Sequence, residues 1–325
     1  MHERKAIMQV RNLTKNFTIR GKKLTERSKT LHALTDVSFD LYEGETLGVI
    51  GESGCGKSTL GRCLVQLHQP TSGTITYGGQ DLHMLRNELK RQARKDIQMI
   101  FQDPYSSLDP LKTAEYSIEE AIRVHRLAKD RQERRDLALK YMQEVGLDIQ
   151  HLERFPHEFS GGQRQRINVA RALSVQPRII VCDEPVSALD VSIQAQVINL
   201  FKRLQKDYNL TYVFISHDLG IIKYISDRIL IMYLGRLVET HTSEGIYAKP
   251  LHPYTQALLS AIPPESPFEK PKRVVLKGDI PSPIGEQRGC PLAGRCEKCM
   301  ARCTKEIPKL KDTGDGHMVA CFLYE

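Results

Sequence analysis

The stretch Gly51-Glu52-Ser53-Gly54-Cys55-Gly56-Lys57-Ser58-Thr59 carries the clearest chemistry in the chain. Glycines at positions 51, 54 and 56 let a backbone wrap an anion with its N–H groups pointing inward, where side chains would obstruct the approach. Lys57 then reaches the β- and γ-phosphates of a nucleoside triphosphate, and the Ser58 hydroxyl ligates Mg²⁺. The run Thr46-Leu47-Gly48-Val49-Ile50 before it reads as a buried strand, and Leu60, Leu64 and Leu67 after it space the apolar face of a helix. Strand, glycine loop and helix is the context this chemistry requires, with the positive end of the helix aimed at the same anion.

Other strips add reactive groups. Ile180-Val181-Cys182-Asp183-Glu184 puts two carboxylates at the carboxyl end of an apolar strand, where open α/β sheets bind ligands. Desolvating carboxylates there without compensation is costly, so a cation is expected beside them. Asp183 is read as a direct or second-sphere Mg²⁺ contact and Glu184 as the group polarising an attacking water. Phe214-Ile215-Ser216-His217-Asp218 ends another strand on a histidine, read as a γ-phosphate contact. Phe17 lies about thirty residues before the glycine loop; its ring is suited either to stacking on an adenine or to closing a strand in the core. Ser160-Gly161-Gly162-Gln163 opens a second helix with a second anion site. One nucleotide does not need two cradles in one domain, so this second site is expected to serve the nucleotide of another subunit.

These groups need elements to hold them. Residues 7–17 and 36–42 read as half-buried antiparallel strands, separated by a basic loop at about 18–30 with no evident role. Near-continuous apolar strands at 97–101, 179–182, 212–215 and 229–232, separated by helical stretches, indicate a mostly parallel central sheet covered on both faces. Strand signals vanish between Pro104 and about Leu173. There Asp130 and Glu133 form a capping-box pattern for a helix with Leu137, Tyr141 and Val145 on one face and a stop at Gly146. This reads as an inserted helical subdomain. The fold class is thus α/β, a phosphate-loop nucleotide-binding fold with an antiparallel β subdomain.

Composition excludes little beyond this. A chain of 325 residues, 40% hydrophobic and 26% charged, has ample material for a core. No apolar run approaches a membrane span, and no signal-type region follows Met1, which together point to the cytoplasm. The net charge of +8 is spread over short clusters (Lys22-Lys23, Lys90-Arg91 with Arg94-Lys95, Arg131 with Arg134-Arg135). Such clusters suit solvated helix faces better than a membrane or nucleic-acid surface. Of eight cysteines, Cys55, Cys63 and Cys182 are scattered and five crowd into positions 290–321. Cys290, Cys296, Cys299, Cys303 and Cys321 point to a metal site in a reducing compartment, as zinc or as an iron–sulfur cluster. Spacing alone does not decide between the two.

In order and spacing, Gly51 to Thr59, Gln102, Ser160 to Gln163, Asp183-Glu184, Ser187-Ala188-Leu189-Asp190 and His217 resemble the Walker A, Q-loop, signature, Walker B, D-loop and switch histidine of ATP-binding-cassette ATPases. The resemblance covers about residues 7–245. His252-Pro253-Tyr254, Pro281-Ser282-Pro283 and the cysteine cluster further resemble the C-terminal extension of peptide and nickel importer ATPases, which would occupy 246–325. It implies ATP and Mg²⁺ on Gly51 to Thr59, with Ser58, Gln102 and Asp183 around the metal. It also implies that Gln102 and His217 sense the γ-phosphate, and that Ser160 to Gln163 and Asp190 act across a dimer. A [4Fe-4S] cluster on Cys290, Cys296, Cys303 and Cys321, with Cys299 spare and zinc as the alternative, follows from the same likeness. The implied partners are a homologous second ATPase subunit, two permease proteins and an extracytoplasmic peptide-binding protein, on the cytoplasmic face of the inner membrane. The family commonly has Tyr where Phe17 stands, so stacking is kept and a hydroxyl lost. The implied function is energising peptide uptake. Another cargo, such as nickel or an antimicrobial peptide, is the nearest alternative. A soluble ATPase acting on nucleic acid is a distant one, disfavoured by the single cassette.

Overall fold

The computed structural model describes residues 5–19, 28–262, 274–285 and 287–325. In chain order the elements begin with β1 (Ala6–Ile19), β2 (Lys29–Tyr42), β3 (Thr46–Ile50), α1 (Lys57–Leu64), β4 (Ser72–Tyr77) and β5 (Gln80–Asp81). They continue with α2 (Asn87–Asp96), β6 (Ile97–Ile100), α3 (Ala114–Val124), α4 (Arg131–Glu144), α5 (Gly161–Leu173), β7 (Ile179–Asp183) and α6 (Val191–Tyr208). The remainder is β8 (Thr211–Ile215), α7 (Leu219–Ile225), β9 (Arg228–Tyr233), β10 (Arg236–Thr242), α8 (Ser243–Ala248), α9 (Pro253–Ser260), β11 (Lys311–Asp312) and β12 (Met318–Val319).

Two sheets organise these elements. The larger runs β11-β12-β10-β9-β3-β8-β7-β6, parallel from β9 to β6 and antiparallel beyond β9. Every residue of β3, β7 and β8 is buried, as expected of strands covered on both faces. On one face Phe201 of α6 meets Tyr212 and Phe214 edge-on, with ring centroids 5.6 and 5.7 Å away. On the other face α1 and the antiparallel sheet β2-β1-β4-β5 share a second core built around Val49, Leu60, Leu13 and Leu41.

The inserted helices α3, α4 and α5 pack on one another through Ile118, Ile122, Tyr141, Met142 and Ile167. The expected cap is present: the N–H of Glu133 donates to Asp130 Oδ1 at 2.9 Å, and Gly146 ends the helix with φ +73°. The Glu133 carboxylate accepts from the N–H of Lys129, one residue before the position a capping box uses. The described charge clusters lie on α2 and α4 as expected, while Lys22-Lys23 lie outside the described residues.

Several elements exceed the sequence reading. β2 begins at Lys29, well before the expected start at 36, because its first half pairs with β1 from Lys15 to Ile19. Residues 20–27 of the basic loop lie outside the described residues. The tail returns to the main sheet: β12 pairs with β10 (Glu239 opposite Val319), and the buried Glu239 carboxylate accepts from the N–H groups of Leu251 and His252 at 2.7 and 2.9 Å. His317 Nε2 lies 2.7 Å from the same carboxylate. Ile284 bridges Leu31 of β2, and His32 N–H donates to the Pro283 carbonyl at 3.0 Å.

Candidate functional site

The glycine loop leaves β3 and turns directly into α1. Gly56 sits at φ +103°, and a Cβ there would lie 2.3 Å from the Ala33 carbonyl oxygen. The glycine is therefore demanded by backbone conformation and by close packing on β2, besides the needs of an anion. Lys57 is buried, and its Nζ donates to the Gly51 and Glu52 carbonyls at 2.7 and 3.1 Å, so the ammonium spans the mouth of the loop. The Cys55 side chain points into the core, where burial pushes its thiol pKa up, and its backbone carbonyl accepts from the N–H of Gly235 at 2.9 Å.

Three strand ends converge beside the loop. Ser58 Oγ donates to Asp183 Oδ1 at 2.8 Å, joining α1 to the end of β7. Burial pushes the Asp183 carboxyl pKa up, and the Ser58 hydrogen bond opposes this. The next residue, Glu184, holds φ +48°, a conformation costly for a non-glycine residue that turns its side chain off the strand axis. Gln102 Nε2, just past β6, donates to Glu184 Oε2 at 2.9 Å. His217 Nδ1, just past β8, lies 3.2 Å from that same oxygen. One carboxylate oxygen thus gathers residues from the ends of three parallel strands.

A cleft of about 510 Å³ opens over these groups and is lined by Ser53, Gly54, Gly56, Lys57, Ser58, Thr59, Gln102, Glu184 and His217, with Phe17 at its far end. The Phe17 ring meets His68 edge-on at 5.4 Å, and Lys15 Nζ sits 4.9 Å from its centroid. Leu31, His32, Ala33 and Pro283 also line the cleft. Sequence reading missed them at this cleft; Pro281-Ser282-Pro283 stood out only by its resemblance to the C-terminal extension of importer ATPases.

Ser160, Gly161, Gly162, Gln163 and Asp190 do not line this cleft. Ser160 caps α5 reciprocally: Gln163 N–H donates to Ser160 Oγ at 3.3 Å and Ser160 N–H to Gln163 Oε1 at 3.0 Å. Gly162 packs so tightly on α6 that a Cβ would sit 2.4 Å from Ile193 Cγ2. Ser160 and Asp190 are both exposed.

In the tail, Cys290, Cys296, Cys303 and Cys321 line one small cavity of about 20 Å³, from which Cys299 is absent. Cys299 is exposed, and none of the five forms a disulfide. Among the described residues no three His, Cys, Asp or Glu side chains come together closely enough to hold a metal ion, so the expected cluster geometry is not met. Burial, with the neighbouring thiols adding to it, pushes the Cys290 pKa up to about 11 and raises those of Cys296 and Cys321. A purely thiol donor set fits a soft metal, but the cavity has room for little more than a water-sized group.

Comparison with known proteins gives the site a family. A model described as "ABC transporter" matches residues 34–187, and one described as "Oligopeptide/dipeptide transporter, C-terminal region" matches 238–303. The oligopeptide transport ATP-binding protein AppF of Bacillus subtilis (strain 168) is 48% identical over 321 residues, covering 98% of this chain and 97% of that protein. The dipeptide transport ATP-binding protein DppF of Escherichia coli (strain K12) is 46% identical over 97% of this chain and 94% of its own length. Among solved structures, a dimeric post-hydrolysis state of the ATP-binding cassette MJ0796 bound to ADP and Pi superposes with a TM-score of 0.64 at 30% identity. That match covers 73% of this chain and 98% of the other. The cleft with its convergent strand ends, the helical insertion and these likenesses agree, and the chain belongs to the ABC transporter ATP-binding proteins that carry the oligopeptide/dipeptide C-terminal region.

Proposed function

We propose that this ABC ATPase energises the uptake of short peptides through a membrane permease, using Glu184 to activate the water that attacks ATP. The observation that carries the reading is the Glu184 carboxylate, held by Gln102 and beside His217, next to the Lys57 and Ser58–Asp183 pair. The loop N–H groups and Lys57 hold the phosphates, and Phe17 stacks on the base. Ser58 and Gln102, with Asp183 behind Ser58, would hold Mg²⁺, which would neutralise charge developing on the phosphates. Glu184 orients a water and accepts its proton, while His217 and Gln102 hold that carboxylate in place and read the γ-phosphate. Ser160 to Gln163 and Asp190 face away from this cleft and complete the site of a second, homologous ATPase subunit.

The relatives named for oligopeptide and dipeptide transport support the peptide cargo. A groove of about 510 Å³ lined by Phe101, between α3 and β6, exposes Leu67 and Val124. It suits a cytoplasmic loop of one of two permease subunits, with an extracytoplasmic peptide-binding protein beyond them. Among the described residues no helix is long and apolar enough to cross a membrane, so attachment to the cytoplasmic face falls to such partners. Cys290, Cys296, Cys303 and Cys321 offer the donor set of a soft metal, and a [4Fe-4S] cluster or zinc would fit only once these thiols moved from their described positions; its chemistry there would be structural, fixing a tail with little core of its own. Iron, sulfide and zinc analysis of protein purified without oxygen tests this: about four irons and four sulfides per chain would show that the thiols rearrange around a cluster. One zinc would replace the cluster reading, and no metal would remove the site.

Glu184→Gln tests the central assignment. The variant is expected to bind ATP, to accumulate as a closed dimer and to hydrolyse roughly a thousandfold more slowly. Hydrolysis at the wild-type rate sinks the role given to Glu184.

A further inference from the structure

Glu52, the second residue of the phosphate loop, is held from behind by the C-terminal region. Its backbone N–H donates to the Tyr254 hydroxyl at 2.7 Å. Its carboxylate is gripped by both terminal nitrogens of Arg295, Nη1 to Oε2 at 2.8 Å and Nη2 to Oε1 at 3.2 Å, and Nη1 also reaches the Tyr233 hydroxyl at 3.2 Å. The Tyr233 and Tyr254 rings stand 4.6 Å apart, both buried. Residues separated by about two hundred positions therefore meet on one loop residue. On its other side that residue presents its carbonyl to Lys57 Nζ.

Two physical consequences follow. A phosphate loop works by aiming N–H groups inward; the Glu52 N–H is aimed outward, so Tyr254 fixes which way this part of the loop turns. A carboxylate in a loop that receives a polyphosphate is also repulsive unless it is neutralised, and a bidentate guanidinium does this with fixed geometry. The Arg295 side chain is only 10% exposed and that of Glu52 23%, so solvent screens the pair only in part.

We infer that the C-terminal region braces the phosphate loop, with Arg295 and Tyr254 as positioning residues that set the affinity for ATP through Glu52. This rests on the reading of Gly51 to Thr59 as the ATP cradle. In the full-length chain, Arg295→Met is expected to raise the ATP dissociation constant and KM about tenfold, with kcat at saturating ATP changed less than about twofold. Tyr254→Phe, which deletes one hydroxyl, raises both about threefold. Adding Glu52→Gln to Arg295→Met removes the stranded charge and restores affinity to within about threefold of wild type. Arg295→Lys, which keeps the charge, falls between, and with Tyr254→Phe keeps the test alive if Arg295→Met does not fold. Unchanged ATP affinity in these variants, or a lower melting temperature with unchanged affinity, overturns the brace. Lys57→Ala, measured alongside, separates the two readings: if it keeps ATP affinity, the cradle itself is wrong. If Lys57→Ala loses binding and the Arg295 variants do not, only the brace fails.

Discussion

The phosphate loop and the Ser160–Gln163 turn are made from the same parts, glycines opening a helix, yet the chain holds them in opposite ways. The loop is gripped on every side: Lys57 bonds its own carbonyls, Gly56 presses on Ala33, and Glu52 is tied to Tyr254 and Arg295. The turn is satisfied only by itself, Ser160 and Gln163 exchanging hydrogen bonds at an exposed helix end packed on α6. Fixed groups around a cleft suit a site that works within one chain. A self-capped turn facing outward suits half of a site, because its donors meet nothing in this chain that a nucleotide would occupy.

The widest gap between the two should open when each is damaged in turn. Lys57→Ala is expected to weaken ATP binding to the isolated subunit by roughly a hundredfold. Ser160→Ala should leave that affinity within about twofold, yet lower turnover of the assembled ATPase roughly tenfold. Equal losses of affinity in the isolated chain would erase the distinction, and titration with a labelled nucleotide reads it directly.

A smaller effect probes what stands behind the loop. His252 is 2% exposed, and burial pushes its pKa down to about 4. Its Nδ1 accepts from the Tyr254 N–H at 3.1 Å and so seats the residue that holds Glu52. The folded pKa lies below the unfolded value of about 6.5. As pH falls through 6.5, the unfolded chain takes up a proton that the folded chain refuses, and stability is lost progressively until about pH 4. The loss amounts to at most about 3 kcal/mol. His252→Asn keeps a helix-capping acceptor without the titration. Thermal unfolding should therefore fall less steeply between pH 7 and pH 5 in this variant than in wild type, and identical slopes would show that His252 contributes nothing to the acid sensitivity.

How far the sequence foretold this arrangement depended on the range of the signal. The glycine loop, the apolar strands and the helical insertion were legible because each is written in neighbouring residues, by spacing or period. Asp183, Glu184, Gln102 and His217 were legible as strand ends, and the structure brings Gln102 and His217 together at the Glu184 carboxylate and ties Asp183 to Ser58. The β4–β5 hairpin was missed because Ser72 to Asp81 is mostly polar, with only Ile75 and Leu82 buried along it and just after it. The two-residue strands β11 and β12 carry no period at all. The contacts of Arg295 and Tyr254 with Glu52, and the place of Pro283 in the nucleotide cleft, were invisible for a different reason: a contact across two hundred residues leaves no local mark. The thiols were found, but their spacing did not foretell that they would share a cavity without reaching metal-binding geometry.

The strand order at the far side of the main sheet has one more implication. β10 would otherwise end that side with a row of unpaired N–H and C=O groups, an open template for a strand of another molecule. β12 occupies that row, and β11 closes it with two residues whose Lys311 is ion-paired to Glu325 at 3.4 Å. A chain lacking this last hairpin would present a bare edge to its neighbours, so the segment between Cys303 and Cys321 also guards the protein against self-association and aggregation.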